Sequence, residues 1–198
     1  MAANTYLTPE ERAALESVRV GIAGAGGLGS NCAMHLVRSG VKHITIADFD
    51  AVNESNLNRQ FFFRDQIGQK KVEAVKANLL RIEPDADIRA VDMRLDVSSA
   101  REVFADCGIV VEAFDAVDAK VMLVSAFASS GKKLVTASGL AGWGRSNAMR
   151  VRKMGNIVAI GDGETSVGDG AAPVSPRVGI AAAMEANAVV SLLLGCEL

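Results

Sequence analysis

The residues best suited to chemistry begin at a glycine-rich turn. Residues 18–29 read V-R-V-G-I-A-G-A-G-G-L-G, and Gly24, Gly26 and Gly29 satisfy G-x-G-x-x-G, with Gly27 between them. An apolar run, Val18 to Ala23, precedes the turn. Leu28, Cys32, Leu36 and Val37 come after it at helical spacing. A turn between strand and helix lets phosphate approach backbone amides, and the helix N-terminus stabilises an anion by about 0.3–2 kcal/mol. Asp48 stands about 20 residues on, at the end of the next strand, where a carboxylate accepts hydrogen bonds from ribose hydroxyls. The turn alone does not choose between a dinucleotide and a nucleoside triphosphate. The alternative without ligand is a set of glycines that merely permits a tight turn. No G-x-x-x-x-G-K-[ST] is present.

The choice of nucleotide rests on the segment that begins at Asp48. Residues 48–60 read D-F-D-A-V-N-E-S-N-L-N-R-Q, a polar stretch for which a dehydrogenase has little use. Asp50 belongs to this candidate nucleotide-binding set, and Asn56, Arg59 and Gln60 fall within one turn of chain. Lys71 opens the next helix, and its long stem can reach back. Asp115 comes after the strand Gly108–Glu112, at the carboxyl end where open α/β sheets bind ligands. Two cations, an amide and an acid around a phosphate turn suit a triphosphate with Mg²⁺ better than nicotinamide. Each has a plainer alternative: Arg59 or Lys71 as a solvated charge, Asp115 as a helix cap, and Phe61–Phe63 as core rather than a stacking platform.

These residues need a frame. The chain has 198 residues, 49% hydrophobic and 5% aromatic, enough for one domain with a sizeable core. Strands are expected at 18–23, 43–47, 88–91, 108–112 and 134–137, alternating with helices at 28–39, 66–82, 98–105 and 117–130. Thr8-Pro9-Glu10-Glu11 starts an N-terminal helix that ends near Ser17. Residues 147–153 and 157–160 form a hairpin, and an apolar last helix runs from Ser175-Pro176 to Gly195, buried or at a subunit interface. The expected fold is α/β: a Rossmann-like, doubly wound, mostly parallel sheet with a C-terminal antiparallel hairpin, in a single domain spanning 1–198. The net charge of −2 argues against nucleic acid or an anionic membrane as the main partner. No run of 18 apolar residues occurs, and the N-terminus lacks a signal pattern, so a cytoplasmic location is expected. Cys32, Cys107 and Cys196 lie far apart without a CxxC, so no zinc site is expected and the thiols read as reduced and apolar in setting.

G-A-G-G-L-G (24–29), the 48–60 segment, I-G-Q-K-K (67–71) and E-A-F-D (112–115) resemble the ThiF/MoeB/HesA group, related to the ubiquitin-activating enzymes. The likeness runs from Val18 to about Leu194. The short chain and the stretch R-V-G-I-A-A-A-M-E-A-N (177–187) look most like the compact ThiF proteins of thiamine biosynthesis. The resemblance implies that Asp48 binds ribose, that Asn56, Arg59 and Lys71 contact phosphates, and that Asp115 holds Mg²⁺. It implies adenylation, by ATP, of the C-terminal glycine carboxylate of a small ubiquitin-like, ThiS-like sulfur-carrier protein, with pyrophosphate released, by a homodimer. It also makes residues 161–173 a mobile crossover loop over the carrier tail. The chain departs from the group in four ways. It lacks CxxC pairs, has no cysteine in that loop, carries Ala116 where Asn is common, and lacks the N-terminal R-Y-x-R-Q. Arg12 or Arg19 is the candidate replacement for the arginine that this last motif supplies across the dimer. The alternatives are an NAD-dependent oxidoreductase, a non-catalytic carrier-binding subunit, and an enzyme activating another carboxylate, such as a modified tRNA base or a peptide terminus.

Overall fold

The computed structural model describes residues 6–165 and 170–198. Seven strands join one sheet: β1 (Arg19–Ala23), β2 (His43–Asp48), β3 (Asp87–Asp92), β4 (Cys107–Glu112), β5 (Lys133–Ala137), β6 (Arg150–Met154) and β7 (Ile157–Gly161). Their order is β3-β2-β1-β4-β5-β7-β6. Every neighbouring pair is parallel except β6 on β7, which forms the expected antiparallel hairpin. The central strand β1 is buried along its whole length, as a parallel strand covered on both faces must be.

Helices cover both faces. On one side lie α1 (Pro9–Ser17), α2 (Gly27–Ser39), α3 (Lys71–Ile82) and α6 (Ser175–Leu194), around Val20, Ile22, Leu36, Ile46 and Val75. On the other lie α4 (Val97–Val103) and α5 (Val117–Phe127), around Phe104, Val110, Leu123 and Phe127. The N-terminal helix begins at Pro9 behind a capping box in which Thr8 and Glu11 each bond the other's backbone N–H. α6 has 20 residues and a mean hydropathy of 1.5, long and apolar enough by length and composition to cross a bilayer. Here it lies along α2, burying Val178, Ala181, Ala182, Ala186 and Val189.

Two element starts differ from the periodicity by three residues or more. The helix expected from Gln66 starts at Lys71, because a 3₁₀ turn at Arg64–Gln66 and pairing with Val52 occupy the preceding residues. Gly68 N–H donates to Val52 O and Val52 N–H to Gln69 O, both at 2.8 Å. The strand expected from Asn147 starts at Arg150, after a 3₁₀ turn at Ser146–Ala148.

A buried amide pair holds the 53–70 arm on α3. Asn78 Nδ2 donates to Phe61 O at 2.9 Å and Gln66 Oε1 at 3.1 Å, while Gln66 Nε2 donates to Asn78 Oδ1 at 2.9 Å. Phe62 is buried beneath this arm, and Phe63 is exposed, in edge contact with Phe61 at 5.9 Å. Asn78→Ala would strand buried acceptors and is expected to lower stability by about 1–3 kcal/mol. Urea unfolding checks this; an unchanged midpoint would show that the pair contributes nothing.

Candidate nucleotide-binding site

The glycine turn lies where β1, β2 and β4 end together. Gly24 has φ +102°, and a Cβ there would sit 2.8 Å from Ala113 O. Its N–H donates to Ala47 O at 2.8 Å, and Ala113 N–H donates to Ala23 O at 2.8 Å. A Cβ on Gly29 would lie 1.9 Å from Gly24 O, so only glycine permits this close return of the chain. Gly26 caps α2 without a side-chain bond, which leaves first-turn N–H groups open for an anion. Asp48 is docked against the turn. Its Oδ2 accepts Ala25 N–H at 2.7 Å, and its Oδ1 accepts Asp50 N–H at 2.8 Å.

The polar segment folds over the same turn. A 3₁₀ turn at Glu54–Asn56 follows Asn53, with Asn56 N–H donating to Asn53 O at 3.1 Å. Asn56 is buried, and its Oδ1 accepts Asn53 N–H at 3.0 Å, so this oxygen shapes the loop. Arg59 passes its stem across Gly27, with Cγ 3.5 Å from where a Cβ would stand. Its guanidinium donates to Asn58 Oδ1 at 2.8 Å and Ser55 O at 3.3 Å. Gln60 is buried beside Gly26, and its Oε1 has no partner among the described residues. Lys71 Nζ pairs with Asp50 Oδ2 at 2.7 Å; the lysine is 8% exposed and the aspartate 48%. Asp50 therefore stands as the partner of Lys71 and holds its ammonium at the loop.

Asp115 is exposed, on the loop whose Ala113 O and Phe114 ring lie over Gly24. Among the described residues its carboxylate makes no hydrogen bond or ion pair. No group of three or more His, Cys, Asp or Glu side chains comes together among them either. A single free carboxylate beside a phosphate turn nonetheless fits Mg²⁺, which keeps several waters and takes oxygens from substrate phosphates.

Ser30 and Asn31 are site residues that sequence patterning passed over. Asn31 Nδ2 donates to Gly27 O at 2.6 Å and Arg59 O at 2.9 Å. Ser30 Oγ donates to Gly26 O at 2.6 Å and accepts Phe61 N–H at 3.0 Å. Together they tie the arginine-bearing arm to the glycine turn. Their signal was a pair of small polar residues in the first turn of an otherwise apolar helix. Val178 of α6 closes the far side, its Cγ1 2.9 Å from the Cβ position of Gly27.

Arg19, one of two candidates for an arginine reaching across a dimer, is not available for that role. It is buried at the opposite, amino-terminal edge of the sheet, paired with Asp87 and, at 3.4 Å, with Asp106. A side chain committed there cannot reach a nucleotide at the carboxyl edge. Arg12 is exposed on α1. The thiols divide: Cys32 and Cys107 are buried, whereas Cys196 is exposed, contrary to the apolar setting expected for all three. Burial, with Asp106 adding to it, pushes the Cys107 thiol up to about 11.

Of the segment expected to cross over the site, residues 166–169 lie outside the described residues. The flanks are anchored. Arg177 Nη2 pairs with Asp162 Oδ2, both side chains being at most 2% exposed, and Arg177 Nη1 donates to Gly144 O at 2.7 Å. Burial alone would raise the Asp162 carboxyl. The N–H groups of Thr165 and Glu164, the Thr165 hydroxyl and Arg177 together hold it below the usual carboxylate range. A lowered folded-state value adds stability that is present above the unfolded value, about 4, and is lost as pH falls through the folded value. Thermal unfolding of the native chain should therefore lose stability below about pH 4. Asp162→Asn should be less stable at pH 7 and show a shallower acid loss; parallel curves would discount the pair.

The family model described as "ThiF family" matches residues 2–198. The chain belongs to the ThiF family. It is 31% identical over 189 residues to the adenylyltransferase and sulfurtransferase UBA4 of Yarrowia lipolytica, covering 91% of this chain and 47% of that protein. It is 37% identical over 115 residues to the molybdopterin-synthase adenylyltransferase of Salmonella typhimurium, covering 58% of this chain and 46% of that one. The chain thus spans less than half the length of these relatives. Among solved structures, the ATP complex of E. coli tRNA N6-threonylcarbamoyladenosine dehydratase, TcdA, superposes with a TM-score of 0.83 at 21% identity. That match covers 94% of this chain and 90% of that one, and it shows a shared ThiF-type fold.

Proposed function

We propose that this chain uses ATP and Mg²⁺ to adenylate the C-terminal glycine carboxylate of a small ubiquitin-like sulfur-carrier protein. The observation that carries the reading is the gathering, at the carboxyl edge of the sheet, of the open α2 N-terminus, Arg59, the Lys71–Asp50 pair and the exposed Asp115. Two relatives named as adenylyltransferases support the reaction class, and the named ATP complex supports the nucleotide over nicotinamide.

The chemistry is dictated by charge. A carboxylate oxygen of the carrier attacks the α-phosphorus, the bond to the bridging oxygen breaks, and pyrophosphate leaves with the electron pair. The nucleophile is already ionised at pH 7, so no strong base is needed. The obstacle is bringing two anions together. Open N–H groups of α2, Arg59 and Lys71 offset that repulsion and stabilise charge on the departing pyrophosphate. Asp48 positions the ribose. Asp115 would hold Mg²⁺, which would supply further neutralisation of phosphate charge.

The narrower reading is a ThiS-like carrier in thiamine biosynthesis, with a homodimer acting in the cytoplasm. It rests on the 177–187 stretch. Relatives named for molybdopterin synthase and UBA4 support the carrier class and not one pathway. ATP–pyrophosphate exchange tests the proposal, with carriers ending in Gly-Gly, a modified tRNA and no acceptor as separate arms. Exchange that requires one of the carriers is expected. Exchange stimulated by the tRNA alone, or by none of them, would sink the carrier assignment.

A further inference from the structure

Among the described residues the Asp115 carboxylate has no bond to fix it, yet the proposed chemistry needs it in one place. We propose that the pair formed by buried Glu112 and half-buried Lys120 is the clamp that places it, and that Lys120 is a positioning residue for adenylation; this rests on the proposed carrier-adenylating function. Glu112 ends β4 and is fully buried. Its Oε1 accepts Phe114 N–H at 2.8 Å and Lys120 Nζ at 3.2 Å. Its Oε2 accepts the Thr136 hydroxyl at 2.5 Å and Lys120 Nζ at 3.0 Å. Lys120 Nζ also donates to Ala137 O at 3.0 Å.

The chain therefore leaves the sheet at Glu112, passes through Asp115, enters α5 and returns at Lys120 to the same carboxylate. Both ends of the loop share one anchor, which is fastened to β5 as well. At the helix start Ala116 makes no side-chain cap bond. Glu185 of α6 is also buried, without a partner among the described residues. Burial, together with the charge of Glu112, raises its carboxyl and outweighs the lowering by Lys120. A pair of this kind differs from a solvated one: removing the lysine leaves a buried carboxylate unpaired beneath the metal-binding loop.

The test is Lys120→Met, with Lys120→Arg as the conservative variant. Amide hydrogen exchange at Phe114 should accelerate at least about tenfold while Ile109–Val111 of β4 stay protected. In pyrophosphate exchange, half-saturating Mg²⁺ should rise at least about fivefold, with metal-free AMP binding held within about twofold. Lys120→Arg should restore both. If Lys120→Met fails to fold, Thr136→Val, which removes one donor to Glu112 and keeps the ion pair, should show the same changes at smaller amplitude. Unaltered protection at Phe114, or equal loss throughout β4 and α5, would overturn the clamp. The hydrogen-exchange readout needs no activity, so a wild-type chain inactive with every carrier would end the function proposal and leave the clamp to be judged by itself.

Discussion

Replacing Arg59 or Asp115 by alanine is expected to slow ATP–pyrophosphate exchange at least about 100-fold with the fold intact. In the proposed chemistry the two side chains act by opposite charges on the same nucleotide. Arg59 crosses the glycine turn at Gly27, and among the described residues its guanidinium bonds to neighbours on its own loop, Ser55 and Asn58. Those exposed bonds contribute little to stability, so its loss should fall on the transition state, where negative charge moves onto pyrophosphate. Asp115 is exposed and makes no bond among the described residues, so Asp115→Ala should leave the melting temperature unchanged. A single oxyanion-type contact is typically worth about 2.7–4 kcal/mol in the transition state, which converts to a factor of this size. Asp115→Asn keeps the shape and removes the charge, and it should lose nearly as much. Wild-type exchange rates in Arg59→Ala and Asp115→Ala would remove both residues from the active site.

Gly29→Ala should abolish measurable ATP binding. The added methyl would stand 1.9 Å from Gly24 O and 3.1 Å from Ile22 Cγ2. The first obstacle is backbone, not a side chain that can swing aside. Relief would require the turn to open, separating the amides that meet phosphate from Asp48, whose Oδ2 is held by Ala25 N–H. The strain should also lower stability by about 1–3 kcal/mol. Gly27→Ala is the control. Its methyl meets Val178 Cγ1 at 2.9 Å, a side chain that can shift, so its loss of affinity should be smaller, about tenfold. Calorimetric titration with ATP compares them; Gly29→Ala binding as tightly as wild type would show that the turn does not hold the nucleotide.

Much of this site was legible in one dimension because its parts are close in sequence. The strand, glycine turn and helix occupy residues 19–39, and the polar segment with Asn56 and Arg59 comes directly after Asp48. Apolar runs of strand length and helical spacing sufficed to place these on a mostly parallel sheet. Other features had no local signature. The late start of α3 at Lys71 depends on Val52 pairing with residues 68–69. The burial of Arg19 depends on Asp87, 68 positions away. The arm carrying Arg59 is held by Ser30 and Asn31, whose bonding partners lie 31 and 28 residues on.

Local order of residue types thus determined the fold class, the glycine turn and the identities of the charged groups, since strand, turn and helix preferences act over a few neighbours. Tertiary structure decided which charges are usable. It sent Arg19 to the far edge, gave Asp50 to Lys71, and left Asp115 without a partner among the described residues, above an anchored Glu112. The physical reason is that a side chain's chemistry depends on its partners and its solvent, and packing brings those partners from distant parts of the chain.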